Sequence, residues 1–148
     1  MNQNASLNMH ELIATARREK TFAQLIERVP YARLIGMKGM SLGDELLFIL
    51  PARENNIGNP TLPALHGGCI GGFMENAAIF HVLATIESDR IPKVIDFSLD
   101  YLRPGRFRDT YASCEVVRQG RKVVNVGIKA WQTSRSEPIA NARTHLLL

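Results

Sequence analysis

Glu75 is the one acid in the apolar run LPALHGGCIGGFMENAAIF, residues 62–80. A carboxylate among such neighbours is costly to desolvate unless it is paired, neutralised or used. On a helix, positions three and four apart share a face, so Gly72, Gly71 and, one turn further back, Gly68 form a bare stripe ending at Glu75. Glycine costs about 1 kcal/mol relative to alanine inside a helix. Three on one stripe therefore point to close approach by a substrate or a partner backbone. The start of the helix supplies the opposite polarity, because N–H groups around Gly67 and Gly68, just after His66, lack intrahelical acceptors. Donors and a carboxylate on one groove can hydrolyse an activated acyl group. The donors hold the oxyanion while the acid activates water or attacks directly. The same spacing fits a tight packing surface equally well.

Other arrangements are less specific. His66 and Cys69 lie three apart, as a nucleophile pair would, but no third orienting group is evident and Cys69 reads as a buried thiol. His66, Cys69, Glu75 and His81 repeat no metal-ligand spacing, so no metal is expected, and His81 reads as a core or interface histidine. Arg103, Arg106 and Arg108, with Arg118, Arg121 and Lys122 of the next turn, suit phosphate geometry or a solvated surface. Tyr101 and Trp131 are expected to pack in a sheet.

The elements that must position these residues follow from periodicity. Leu12, Ile13, Ala16, Leu25, Ile26 and Val29 predict an amphipathic helix over 9–29, ended by Pro30. A hairpin is expected next, with strands over 33–41 and 45–51 and a Gly43-Asp44 turn. Residues 52–65 read as a long loop, and 67–86 as a helix buried on every side. After Pro92 the period becomes two, with Ile95, Phe97, Leu99 and Tyr101 on one face, and further strands are expected over 109–119, 122–133 and 138–147. The class is α+β, a curved antiparallel sheet about a central helix. Its exposed edge makes pairing with a second copy expected.

Composition narrows the function classes. With 45% hydrophobic and 22% charged residues, the 148-residue chain has an ordinary globular make-up suited to one core. Eighteen Lys and Arg against fourteen acids give a net charge of +4, enough to favour an anionic ligand and too scattered for nucleic acid. Cys69 and Cys114 read as free thiols. No secretory leader and no membrane-spanning run is apparent, so the expected location is the cytoplasm.

Three features together resemble a known family. They are LHGG with an acid nine residues after the His, the segment IDFSLDYLRPGRFRDTYASCEVVRQGRKVV, and PIANARTHLLL. They resemble the hotdog-fold thioesterases, more narrowly the PaaI-like acyl-CoA thioesterase branch, over residues 30–148. Residues 1–29 are left as an N-terminal helical extension. The resemblance implies a hotdog fold and assembly as a homodimer or homotetramer, with the active site between subunits. It implies acyl-CoA as substrate, with coenzyme A entering only as part of it and no separate cofactor. It implies Glu75 as general base or nucleophile and the Gly67 amide as oxyanion donor, with His66 beside it. Gly68, Gly71 and Gly72 then make room for the thioester, and Arg103 and Arg106 are candidates for the coenzyme A phosphates.

Two positions depart from the family pattern. Where many relatives carry an Asn six residues before the His, this chain has Pro60, with Asn59 one residue earlier. Where some carry a Ser or Thr after the helix to steer water, it has Lys93-Val94. These departures keep open a non-catalytic module that binds acyl-CoA or serves in assembly. A hotdog hydratase is the weaker third reading.

Overall fold

Two short helices replace the single one expected over 9–29, and a third follows it. The structure, a computed structural model, describes residues 8–88 and 90–148; the first seven residues of the N-terminal extension and Asp89 lie outside them. Asn8 caps α1 (Met9–Glu19), its side-chain oxygen accepting from the His10 N–H, and Lys20 ends the helix at φ 52°. Continuing would have carried the buried face of Leu12, Ile13 and Ala16 onto Glu19 and Lys20. Turning the chain instead buries Phe22, and α2 (Ala23–Glu27) buries Leu25 and Ile26. Pro30 starts α3 (Pro30–Ile35) rather than ending a helix, since a residue without an N–H suits the first turn. The strand expected from 33 accordingly begins later.

Strands β1 (Lys38–Leu42) and β2 (Glu45–Leu50) form the expected hairpin, with Gly43 supplying the positive φ of a two-residue turn. The expected loop over 52–65 is ordered. It holds a 3-10 turn at Glu54–Asn56 and the small antiparallel pair β3 (Ile57–Asn59) and β4 (Ala64–Leu65). Helix α4 (Gly67–Thr85) follows, and only Gly68 and Thr85 along it are exposed, as its all-round apolar pattern requires.

Strands β5 (Lys93–Tyr101), β6 (Thr110–Gln119), β7 (Val123–Trp131) and β8 (Ala140–Leu147) complete a six-stranded antiparallel sheet in the order β1-β2-β6-β7-β8-β5. The sheet packs around α4 through a shared core that includes Phe48, Phe73, Phe80, Val126 and Leu146. This is the hotdog arrangement. Leu12, Ile13 and Ala16 of α1 belong to the same core. Arg17 closes the far end of α4, donating to the Leu83 carbonyl at 2.6 Å and to the Ile86 and Ser88 carbonyls. A cation there opposes the negative end of the helix dipole.

Ile95 departs from the expected face. A register shift between Val94 and Asp96 makes Ile95 the extra residue of a bulge, 56% exposed, while Val94 joins Phe97 and Leu99 against the core. Among the described residues no helix is long and apolar enough to cross a membrane.

Candidate active site

The first turn of α4 is held from three directions. His66 is its N-cap, and its Nδ1 accepts from the Gly68 N–H at 2.9 Å. Nδ1 is therefore unprotonated in that arrangement, and the neutral ring carries its proton on Nε2. The His66 N–H donates to the Asn56 carbonyl at 2.8 Å, and the buried Asn56 side chain donates to the Ile35 carbonyl at 3.0 Å. The helix start is thereby anchored to the 3-10 turn and to α3. Cys69 and Ile70 donate to the His66 carbonyl. Of the donors expected at this helix start, Gly68 is thus already used. Gly67 is the one whose N–H has no acceptor among the described residues.

The glycine stripe is approached by side chains of the same chain. Tyr101 Oη donates to the Gly67 carbonyl at 2.6 Å, and a Cβ at Gly67 would lie 3.0 Å from that oxygen. A Cβ at Gly71 would lie 3.3 Å from Leu99. At Gly72 it would collide with Tyr31, 2.5 Å from Cε1 and 2.7 Å from Oη. Tyr101 is thus not packed within the sheet as expected but 56% exposed, reaching from the last residue of β5 to the helix start. Trp131 does pack in the sheet, stacked on Tyr111 with Arg135 over its ring.

Glu75 is half-buried, three residues on from Gly72, and takes part in no ion pair or hydrogen bond among the described residues. Tyr31 on α3, absent from the sequence reading, lies against Gly72, three residues before Glu75, within reach of its charge. Burial, then the fields of Cys69 and Glu75, push its phenol pKa up, so the hydroxyl stays protonated. Only the tertiary fold brings residue 31 to residue 72. No spacing in the sequence signals it.

Burial also raises the Cys69 thiol, the opposite of what a thiolate nucleophile needs, in keeping with a packing role. His81 is on another part of α4, where burial lowers its pKa and leaves Nδ1 without a partner.

Asn59 is exposed, and its Oδ1 accepts from the Thr61 N–H at 3.0 Å, which commits the side chain to its own turn. The arginines divide into two groups. Arg103, Arg106 and Arg108 share a cleft of about 380 Å³ with Gln132 and Glu137. This loop is stitched to the strand leading into His66, through Leu65 N–H to the Gly105 carbonyl and a bridge between Ala64 and Arg106. Gln132, also missed in the sequence, clamps the backbone of Arg106 at both N–H and carbonyl. Arg103 donates to the Pro138 carbonyl at 2.6 Å. Arg118, Arg121 and Lys122 stand at the other end of β6, whose ten residues separate the groups by roughly 30 Å. Within one chain they lie apart from this cleft.

The comparisons agree with this architecture. No curated protein matches the chain. A Chromobacterium violaceum protein of known structure is 46% identical, over 92% of this chain and 95% of its own, with a TM-score of 0.77. A putative thioesterase from Ralstonia eutropha, described as phenylacetic acid degradation-related, is 20% identical over 86% of this chain and 98% of its own, at a TM-score of 0.72. A Bacillus halodurans protein solved with CoA is 17% identical, covering 99% and 97%, at 0.73. The family model described as thioesterase superfamily matches residues 62–139, the span that contains Gly67, Glu75, Tyr101 and the arginine cleft. The chain belongs to the thioesterase superfamily.

Proposed function

We propose that the protein is an acyl-CoA thioesterase of the PaaI-like kind, releasing a free carboxylic acid and coenzyme A. The observation that carries this is a half-buried carboxylate, Glu75, on a helix whose start leaves the Gly67 N–H free, neither group having a partner among the described residues. Water adds to the thioester carbonyl as its proton passes to Glu75, and the oxyanion is held by a Gly67 N–H. Collapse of that intermediate breaks the C–S bond, and the departing thiolate takes a proton. Direct attack by Glu75 is the alternative first step. His66, with its proton on Nε2, has a second donor to offer the same carbonyl oxygen.

The Glu75 and Gly67 of one reaction centre come from two copies of the chain, paired as a homodimer or a tetramer built from dimers. The open edge strand β5 supports this pairing. Gly68, the exposed glycine of the stripe, leaves room for the thioester, whereas the space over Gly71 and Gly72 expected for it is taken by Leu99 and Tyr31 of the same chain. The Arg103–Arg106 cleft takes the coenzyme A phosphates. The CoA found with the Bacillus halodurans protein supports that ligand class. Asn59 would have to leave its turn to reach a substrate. Two free cysteines accord with a reducing, cytoplasmic setting.

The test is release of free thiol from short, medium, long and aromatic acyl-CoAs by the purified protein. Glu75→Gln should remove most of the activity, and no release across the panel counts against the enzyme. A second reading is favoured by the turn-bound Asn59 and by Lys93-Val94 at the head of β5: a module that binds acyl-CoA without turnover. Saturable binding with no thiol release identifies it.

A further inference from the structure

We propose that the Tyr31 hydroxyl holds the attacking water against Glu75, taking the place of the Ser or Thr that this chain lacks at the head of β5. The inference rests on the thioesterase reading and adds a residue to it. Tyr31 is set by α3, whose start at Pro30 and stop at Gly36 fix the orientation of the second helical residue. Its ring lies on the bare backbone of Gly72 so closely that no side chain fits there. Gly72 and Glu75 are three apart, on one face of α4, so the hydroxyl and the carboxylate border the same ground.

Among the described residues neither group has a hydrogen-bond partner, although Tyr31 is 40% exposed and Glu75 half-buried. A phenol over Gly72 and a carboxylate three residues on along the same face, both unpaired among the described residues, make a two-point socket for a water molecule. The water donates one hydrogen to Glu75 and the other to Tyr31 Oη, leaving a lone pair free for the carbonyl carbon. During attack the first hydrogen passes to Glu75 and the second stays on the new acid's oxygen until collapse. Tyr31 itself keeps its proton, consistent with the burial that raises its pKa. The glycine at 72 is thereby explained without a substrate contact: it is the seat of the Tyr31 ring.

The experiment compares wild type, Tyr31→Phe, Gly72→Ala and the double variant by steady-state hydrolysis of the best acyl-CoA. Thermal unfolding of each variant is measured alongside. Tyr31→Phe keeps the ring on Gly72 and removes only the hydroxyl. It is expected to lower kcat about 10-fold, the scale of one lost hydrogen bond in the transition state, with KM unchanged and the unfolding temperature preserved. Gly72→Ala pushes the ring away and should lower kcat by a similar factor. The double variant should be no worse than the poorer single, because both remove one interaction. A Tyr31→Phe enzyme with wild-type kcat overturns the proposal while leaving the thioesterase reading intact, and so does a multiplicative loss in the double variant. Absence of turnover in the wild type overturns both.

Discussion

The Tyr101 hydroxyl donates to the Gly67 carbonyl at 2.6 Å, while the N–H of that same peptide group, from Gly68, is taken by His66 Nδ1 at 2.9 Å. One peptide plane is thus pinned at both ends, by the final residue of β5 and by the helix cap. Its rigidity orients the neighbouring Gly67 N–H, which is left pointing at no acceptor among the described residues.

Tyr101→Phe should therefore cost little in folding and more in turnover. The lost hydrogen bond is exposed and neutral, so chemical denaturation should show a loss of about 0.5–1 kcal/mol. In acyl-CoA hydrolysis kcat should fall several-fold, since the oxyanion donor gains freedom. Wild-type kcat in this variant would show that the pinned plane does not serve the reaction.

Glu75→Gln keeps the shape of the side chain and removes its ability to take a proton. Hydrolysis should fall by roughly 10²–10⁴-fold, the range of a lost general base, with the unfolding midpoint almost unchanged. Thiol release under saturating substrate measures it.

Arg17→Ala should destabilise the protein without touching the chemistry. Arg17 donates to three carbonyls at the end of α4, from Leu83, Ile86 and Ser88. Losing such charge-assisted bonds costs about 2–3 kcal/mol in urea unfolding. Arg17→Lys, a point charge in place of a planar fork, should recover only part of it.

Gly58→Ala should damage stability and site together. The added Cβ would lie 2.7 Å from His66 Cα, a backbone atom that cannot step aside cheaply. A destabilisation of about 1–3 kcal/mol is expected from overpacking, along with slower hydrolysis as the cap shifts. Denaturation and kcat on one preparation test both effects.

His81 makes stability depend on pH. Burial lowers its folded pKa below the ordinary 6.5, so the unfolded chain binds the proton more readily. Stability contributed by neutral His81 is full above the unfolded value and declines as pH falls through it towards the folded one. Urea midpoints at pH 7.5 and 5.5 should show wild type weakening on acidification. His81→Leu, which also removes the unpartnered Nδ1, should flatten that dependence.

Local patterns and short spacings determined much of this protein from the sequence alone. The buried helix over 67–86, the Gly43-Asp44 hairpin turn and all four later strands follow from periodicity and turn chemistry, and they match within a few residues. Glu75 and the helix start it accompanies were legible because they share one helix, where spacing is geometry. The tertiary structure alone decided the rest. The break at Lys20 and the helix at Pro30 arise because core packing buries Phe22, Leu25 and Ile26, which outweighs a continuous amphipathic face. The bulge at Ile95 depends on register with β8, which no strand carries within itself. Tyr31 at Gly72, Tyr101 at Gly67 and the separation of the two arginine groups join residues distant in the chain. Contacts between remote residues depend on the fold closing, so no local pattern encodes them.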